Sequence, residues 1–130
     1  MARKKLKPYD LGLKQFIKIR GKASSKNFLK ETKSLSPDYA KYAMEFVWGE
    51  IWSRHILDYK TKELITIATL ATMGGKENRV KEHVIIALRN GIKLDEILEV
   101  MIHLAAYAGF PTASNGLDAI KDALNEVKKH

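Results

Sequence analysis

His83 is the residue of this sequence that is best suited to move a proton. Histidine changes charge near neutral pH, so it can act there as a general acid or a general base. Helical spacing puts Val80, His83 and Ala87 on one face, where we expect the imidazole to be half-buried beside a pocket. A hydrogen-bonded core histidine is the alternative, and the residue pattern leaves both open.

Glu63 lies 20 residues before His83, in the second turn of a stretch that is otherwise almost wholly apolar. A carboxylate in such surroundings needs a partner, because burying an unpaired charge is costly. His83 and Arg54 are the candidate partners. The alternative is an exposed glutamate near the start of a helix, paired with Lys60 or Lys62.

Arg54 follows two tryptophans, Trp48 and Trp52. Aromatic rings can stack on a guanidinium group, and its planar fork can hold a carboxylate by two parallel hydrogen bonds. Arg54 is therefore a candidate anchor for an acidic substrate, with the tryptophans beside it. An ordinary surface arginine is the alternative.

His103 shares a helix face with Val100 and Tyr107, so it could line the same cavity as His83. We favour packing of His103 in the core or at a subunit interface over a role in binding. Four aromatic residues are expected to serve as core and cavity wall: Trp48, Trp52, Tyr107 and Phe110.

Metal and thiol chemistry have little support in the sequence. The chain has no cysteine, which excludes disulfides, thiolate metal sites and thiol redox cycles. No two of the four histidines have the i, i+4 spacing that would pair them on a helix, so we predict no metal site: His55, His83, His103 and His130.

The elements that must position these residues are helices. Apolar residues recur at helical spacing, and no stretch alternates as a strand would. We predict an all-α fold of about six helices, in which 59–73, 78–90 and 95–108 form the core. Gly91 is expected in a left-handed conformation after the second of these. The other expected helices are 9–20, a short one capped by Ser24 or Ser25, one from Ser36 to about Gly49, and one from Pro111 to about Lys128.

The length and net charge of the chain limit the number of domains and the kinds of partner that we expect. A chain of 130 residues predicts one domain, which we place at residues 8–130 after a loose basic arm at 1–7. The net charge of +8 is scattered, which favours a lysine-rich surface over a nucleic-acid site, although some cations can receive an acidic small molecule. No apolar run is long enough to span a membrane and no signal region follows the basic start, so we expect a cytoplasmic protein.

Four sequence blocks carry a family resemblance: residues 48–54, residues 61–68, His83 with 87–91, and residues 95–103 followed by 107–113. In this order and spacing they resemble the carboxymuconolactone decarboxylase family, which also includes alkylhydroperoxidase D. The resemblance covers roughly residues 10 to 125. It implies an all-α subunit in a ring-like homo-oligomer, usually a hexamer, with active cavities near the subunit contacts.

The resemblance also implies an activity. The family decarboxylase converts 4-carboxymuconolactone to 3-oxoadipate enol-lactone in aromatic compound catabolism, without a cofactor. Glu63 aligns with a glutamate of the proton relay in the peroxidase branch. That branch also carries two cysteines where this chain has Lys76 and Arg79, so its thiol cycle cannot run here. Carboxylates common in the decarboxylases are replaced by Asn78 and Arg79, and the loop at Gly74 is one residue longer.

The leading hypothesis is therefore a cofactor-free decarboxylase acting on a carboxylated lactone or a similar small acid. The alternatives are a peroxidase-branch protein that has lost its cysteines, and a non-catalytic oligomeric binding protein. The expected catalytic residues are His83 and Glu63. The expected substrate-binding residues are Arg54, Trp52, Trp48, Arg79, His103 and Tyr107.

Overall fold

The structure, a computed structural model, describes residues 5–129. Regular structure in that range is entirely helical, which confirms the all-α prediction. Residues 1–4 of the expected basic arm and the terminal His130 lie outside the described residues. The elements are α1 (Pro8–Arg20), α2 (Lys22–Leu35), α3 (Pro37–Tyr42), a π-helical segment (Ala43–Ile51), α4 (Tyr59–Met73), α5 (Glu77–Arg89), α6 (Leu94–Ala108) and α7 (Phe110–Lys129).

Two helix starts follow directly from side chains that cap them. Ser36 accepts a hydrogen bond from the backbone N–H of Tyr39 at 3.1 Å, and Asp58 accepts one from that of Thr61 at 2.8 Å. Such caps satisfy N–H groups that have no partner within the helix. Hydrogen bonds from the Thr61 side chain and backbone lower the pKa of Asp58. The helices that begin at residues 37 and 59 were predicted at these positions.

The chain forms two compact units, the first ending at Leu57 and the second beginning at Asp58. In the first, α1 and the π-helical segment approach closely through two glycines. A methyl group at Gly12 would lie 1.8 Å from the carbonyl oxygen of Met44, and one at Gly49 would lie 2.6 Å from that of Pro8. Neither position has room for a side chain.

The π-helical segment corrects one expectation. We predicted a regular helix from Ser36 to about Gly49, whereas a wider π-helical winding runs from Ala43 to Ile51. Capping of α2 by Ser24 or Ser25 is also wrong. The helix begins at Lys22, directly after Gly21, and Ser25 lies buried within it, where its hydroxyl donates to the carbonyl oxygen of Phe16 at 3.3 Å.

In the second unit, α4, α5 and α6 pack together as predicted, and α7 completes their core. Fully or almost fully buried side chains come from all four helices: Ile67, Val84, Ile97, Met101 and Ile120. Burying each of these stabilises the unit by about 1.5–3 kcal/mol before entropy is counted. Gly91 has a φ of +87°, as expected. No helix among residues 5–129 is both long and apolar enough to span a membrane.

Candidate active site

Glu63 is a fully buried carboxylate, with 0% of its surface exposed. It lies on the face of α4 that also carries Ile67 and Ala71, one and two turns on, and all three residues are buried. The alternative of an exposed glutamate paired with Lys60 or Lys62 is therefore wrong. Lys60 instead forms an ion pair with Glu96 of α6.

His83 is the partner that Glu63 needs. Its Nδ1 lies 2.5 Å from Oε1 of Glu63, and its side chain is 14% exposed. The residues that place it are its neighbours on α5: Val80, Val84 and Ala87 are buried and fix the orientation of the helix. Because a carboxylate oxygen can only accept, the proton of this hydrogen bond belongs to Nδ1. The sequence predicted this pairing as one of two possibilities.

The second oxygen of Glu63 is also occupied. The hydroxyl of Tyr59, one turn earlier on α4, donates to Oε2 at 2.8 Å. The side-chain amide of Asn90 donates to the Tyr59 oxygen at 3.2 Å and to the carbonyl oxygen of Ile86 at 2.8 Å. Burial raises the pKa of Tyr59, and the nearby Glu63 carboxylate raises it further, so the hydroxyl remains a donor.

Sequence reasoning did not assign a role to Tyr59 or Asn90. The available signal was the spacing of Tyr59 and Glu63, because residues four apart on a helix are neighbours. For Asn90 no comparable signal exists, since asparagine is ordinary at the end of a helix.

This arrangement can transfer a proton at Nε2 of His83. Within residues 5–129, that nitrogen makes no hydrogen bond. Glu63 holds Nδ1–H and carries the compensating negative charge when the imidazole is protonated on both nitrogens. A buried carboxylate that orients an imidazole in this way leaves the opposite nitrogen to do the chemistry. No group of three or more His, Cys, Asp or Glu side chains in the described range could hold a metal ion.

His103 lies in a different environment. It is exposed on α6, with its ring 5.1 Å from that of Tyr107, and it lines a groove of about 560 Å³ between α4 and α6. His83 is not among the residues that line this groove, so the two histidines do not share it. The lining residues are Thr61, Leu64, Ile65, Ala68, Glu96, Glu99, Val100, His103 and Leu104.

The prediction of core packing is wrong for three residues. Tyr107 is 83% exposed, Phe110 is 76% exposed, and His103 is exposed as well. For His103 and Tyr107 the reason is the helical phase of α6, which buries Ile97, Met101 and Leu104 and leaves positions 103 and 107 on another side. Phe110 is the first residue of α7. Packing of His103 at a subunit interface stays a prediction, and so does a place for Tyr107 and Phe110 in a cavity wall.

Arg79 is exposed and lies one helical turn before His83, and its guanidinium group bonds to Glu82 at 2.9 Å. The helix predicted over 78–90 begins one residue earlier, at Glu77, so Arg79 belongs to the first turn of α5. The loop before α5 is short and contains two exposed glycines with positive φ, Gly74 and Gly75.

Trp48, Trp52 and Arg54 belong to the first unit. The two indole rings stack at 5.0 Å with an interplanar angle of 16°, and Trp48 also contacts the Phe16 ring edge-on at 5.1 Å. Trp48 is buried, as expected of a core residue, while Arg54 is exposed. The part of these residues in substrate binding stays a prediction.

Comparison with known proteins agrees with the resemblance. The model of the "Carboxymuconolactone decarboxylase family" matches residues 37–122. The chain is 28% identical over 119 residues to 4-carboxymuconolactone decarboxylase of Acinetobacter baylyi, covering 92% of this chain and 88% of that protein. It is 26% identical over 120 residues to nitrosuccinic acid decarboxylase of Metarhizium robertsii, covering 92% and 82%.

Proposed function

The chain belongs to the carboxymuconolactone decarboxylase family, and we propose that it is a carboxy-lyase that removes carbon dioxide from a small dicarboxylic acid. Relatives named as decarboxylases support a decarboxylase family. The observation that carries the proposal is the pair formed by Glu63 and His83. A fully buried carboxylate bonded to a partly exposed imidazole is an arrangement for proton transfer, and decarboxylation ends in one.

The reaction that we propose has two steps. The bond between carbon and the departing carboxylate breaks, carbon dioxide leaves, and the electron pair moves into an electron-withdrawing group of the substrate. The Nε2–H of His83 then gives its proton to carbon, which restores that group. His83 recovers a proton from water, so the net reaction consumes one proton and releases one carbon dioxide.

The names of the two relatives define the substrate class more closely. One names a carboxylated lactone and the other a nitro-substituted succinic acid. In both compounds a lactone carbonyl or a nitro group can accept the electrons that carbon dioxide leaves behind, and a second carboxylate remains. We infer that this chain takes a dicarboxylate with such an electron acceptor. A carboxylated lactone is our first candidate.

The retained carboxylate needs a cation, best a guanidinium fork. Arg79 lies on the same helix as His83, one turn away, and its exposed guanidinium group is accessible to a ligand. Arg54 is the other candidate, with Trp48 and Trp52 beside it in sequence. Assembly as a homo-oligomer, expected to be a hexamer, and a cytoplasmic location belong to the same proposal.

The alternatives make different demands on the chain. A thiol peroxidase needs cysteine, which the sequence lacks. A non-catalytic binding protein would bind the same acids without releasing carbon dioxide, and this is the outcome that the experiment must separate.

The test is carbon dioxide release by the purified protein from a carboxylated lactone and from 2-nitrosuccinic acid. We expect turnover of at least one of them, and we expect His83→Ala to lower kcat about 10²–10⁴-fold, the usual loss for a positioned general acid. Binding without turnover by the wild-type protein would contradict the proposal.

The control is His55→Ala, because His55 is exposed and lies outside the helices. It should retain wild-type kcat. Equal losses in the two variants would show that His83 has no special part in the reaction. Circular dichroism of each variant verifies that it is folded.

A further inference from the structure

We propose that Tyr59 and Asn90 are positioning residues, which act through Glu63 to fix the orientation of the His83 imidazole. This inference rests on the proposed function for its kinetic consequence, but the hydrogen-bond arrangement that it describes is independent of the substrate. The chain of contacts runs from the carbonyl oxygen of Ile86 through Asn90, Tyr59 and Glu63 to His83.

The Glu63 carboxylate is held at both of its oxygens. With 0% exposure, Glu63 has no water to solvate its charge, so protein donors must do so. Nδ1–H of His83 donates to Oε1 at 2.5 Å, and the Tyr59 hydroxyl donates to Oε2 at 2.8 Å. With a donor on each oxygen, the carboxylate cannot rotate about its terminal bond without breaking a charge-assisted hydrogen bond.

The Tyr59 hydroxyl is also fixed in its orientation. A hydroxyl can turn about its C–O bond and accept or donate in several directions. Asn90 removes this freedom, because its amide donates to the Tyr59 oxygen at 3.2 Å and leaves the hydroxyl proton to point at Glu63. The amide is held in turn, since it also donates to Ile86 at 2.8 Å. Both N–H groups of Asn90 are thereby used.

The orientation of the Glu63 carboxylate in turn controls the tautomer and the ring angle of His83. After Nε2 has given up its proton, the neutral imidazole can exist as either of two tautomers. A fixed carboxylate keeps the proton on Nδ1, so Nε2 is ready to take up the next proton from water. If Glu63 is free to rotate, the Nδ1–H form loses part of this support and the imidazole also loses its fixed angle. Misplacing a reacting group by about 1 Å can lower a rate by about 10²-fold.

The experiment measures the tautomer and the kinetics separately. The tautomer of His83 is read from the imidazole ¹⁵N resonances of the labelled protein, at a pH where the ring is neutral. We expect the Nδ1–H form alone in the wild type, and a mixture of both forms in Tyr59→Phe and in Asn90→Ala. Unchanged ¹⁵N resonances in both variants would overturn the proposal.

In the kinetic measurement, each variant should lose about tenfold in kcat. KM should stay within about twofold, because neither residue is proposed to touch the substrate. A rise in KM at unchanged kcat would show direct substrate contact and would overturn the positioning role. Asn90→Asp keeps the shape of asparagine but cannot donate, so it should behave like Asn90→Ala; wild-type behaviour would show that packing alone matters.

The double variant decides whether Asn90 acts through Tyr59. When two residues belong to one hydrogen-bond network, the effects of substituting them do not add. In the Tyr59→Phe background, Asn90→Ala should therefore cost less than about twofold further in kcat. A further tenfold loss in kcat would show that Asn90 does not act through Tyr59.

The matched controls are Tyr39→Phe and Asn125→Ala, both at exposed helical positions. They should match the wild type in both measurements. If the wild-type protein turns over no dicarboxylate, the proposed function fails, while the tautomer measurement still decides the positioning role.

Discussion

The Glu63–His83 pair and the groove beside His103 lie on two faces of the same helix, α4. On one face, Glu63 is fully buried and hydrogen-bonded to partners on α4 and α5. On the other, mainly apolar side chains line an open groove of about 560 Å³ against α6. The groove has the volume of a ligand site, but its histidine is exposed, with its ring 5.1 Å from that of Tyr107.

The volume of a groove and the presence of side chains that are oriented for proton transfer are therefore separate properties. A groove of this volume falls in the range of small-molecule pockets. Its glutamates are either exposed, as Glu99 is, or engaged, as Glu96 is with Lys60. The ion pair with Lys60 and the bond from the Lys93 backbone lower the pKa of Glu96, which keeps it a charged structural group. The first face instead holds an imidazole that is oriented by a buried carboxylate.

The largest expected difference between the two faces concerns stability. Glu63→Ala leaves Nδ1 of His83 and the Tyr59 hydroxyl without their acceptor inside the unit. Each hydrogen bond to the Glu63 carboxylate that is lost typically costs about 1.5–3 kcal/mol in free energy of unfolding. Ile65→Ala, on the groove face where the side chain is 48% exposed, should cost about 1 kcal/mol or less. Urea unfolding of both variants measures the difference; equal costs would show that the buried network contributes no more than surface packing.

A smaller difference is expected for substrate binding near His83. Arg79→Ala should raise KM about tenfold or more, because a hydrogen bond to a charged group contributes about 1.5–3 kcal/mol. Arg79→Lys should recover only part of this, since lysine lacks the two-pronged fork. Steady-state kinetics on a carboxylated lactone provides the measurement. If Arg54→Ala raises KM instead and Arg79→Ala leaves it within about twofold, the anchor lies in the first unit.

The smallest effect is expected at the groove itself. His103→Ala should change kcat by less than about threefold, because no buried carboxylate among residues 5–129 bonds to this exposed imidazole. The same assay that follows His83→Ala measures it. A loss of 10²-fold or more at His103 would reverse the comparison and make the groove the reaction site.

The helix ends and the core could be predicted to within a few residues because local chemistry specifies them. Ser36 and Asp58 cap the helices that follow, and Gly91 takes the left-handed conformation that other residues avoid. The π-helical segment could not be predicted in this way. Its apolar residues fit an ordinary helical pattern, and the contact that accompanies the wider winding, between Gly12 and Gly49, is long-range.

The candidate site divides in the same way. Pairing of Glu63 with His83 was predictable as one option, since a carboxylate in an apolar helix needs a partner. Tyr59 and Asn90 lie at helix ends, where polar groups are common, so only the packing of α4 against α5 reveals their role. Tyr107 and Phe110 were expected in the core and cavity wall, but hydrophobicity alone does not say which face of a helix meets the core.

The sequence around Asn90 also has a consequence for chemical ageing. Asparagine followed by glycine is the dipeptide most prone to deamidation, in which the glycine nitrogen attacks the side-chain carbonyl carbon and ammonia leaves. In the folded chain, the Gly91 N–H donates to Leu88 at 3.1 Å, and the Asn90 amide is held by two acceptors. The native hydrogen bonds therefore restrain both reacting groups. Local opening of the end of α5 would release them. Water then opens the resulting cyclic imide to aspartate or isoaspartate, and neither carboxylate could donate to Tyr59.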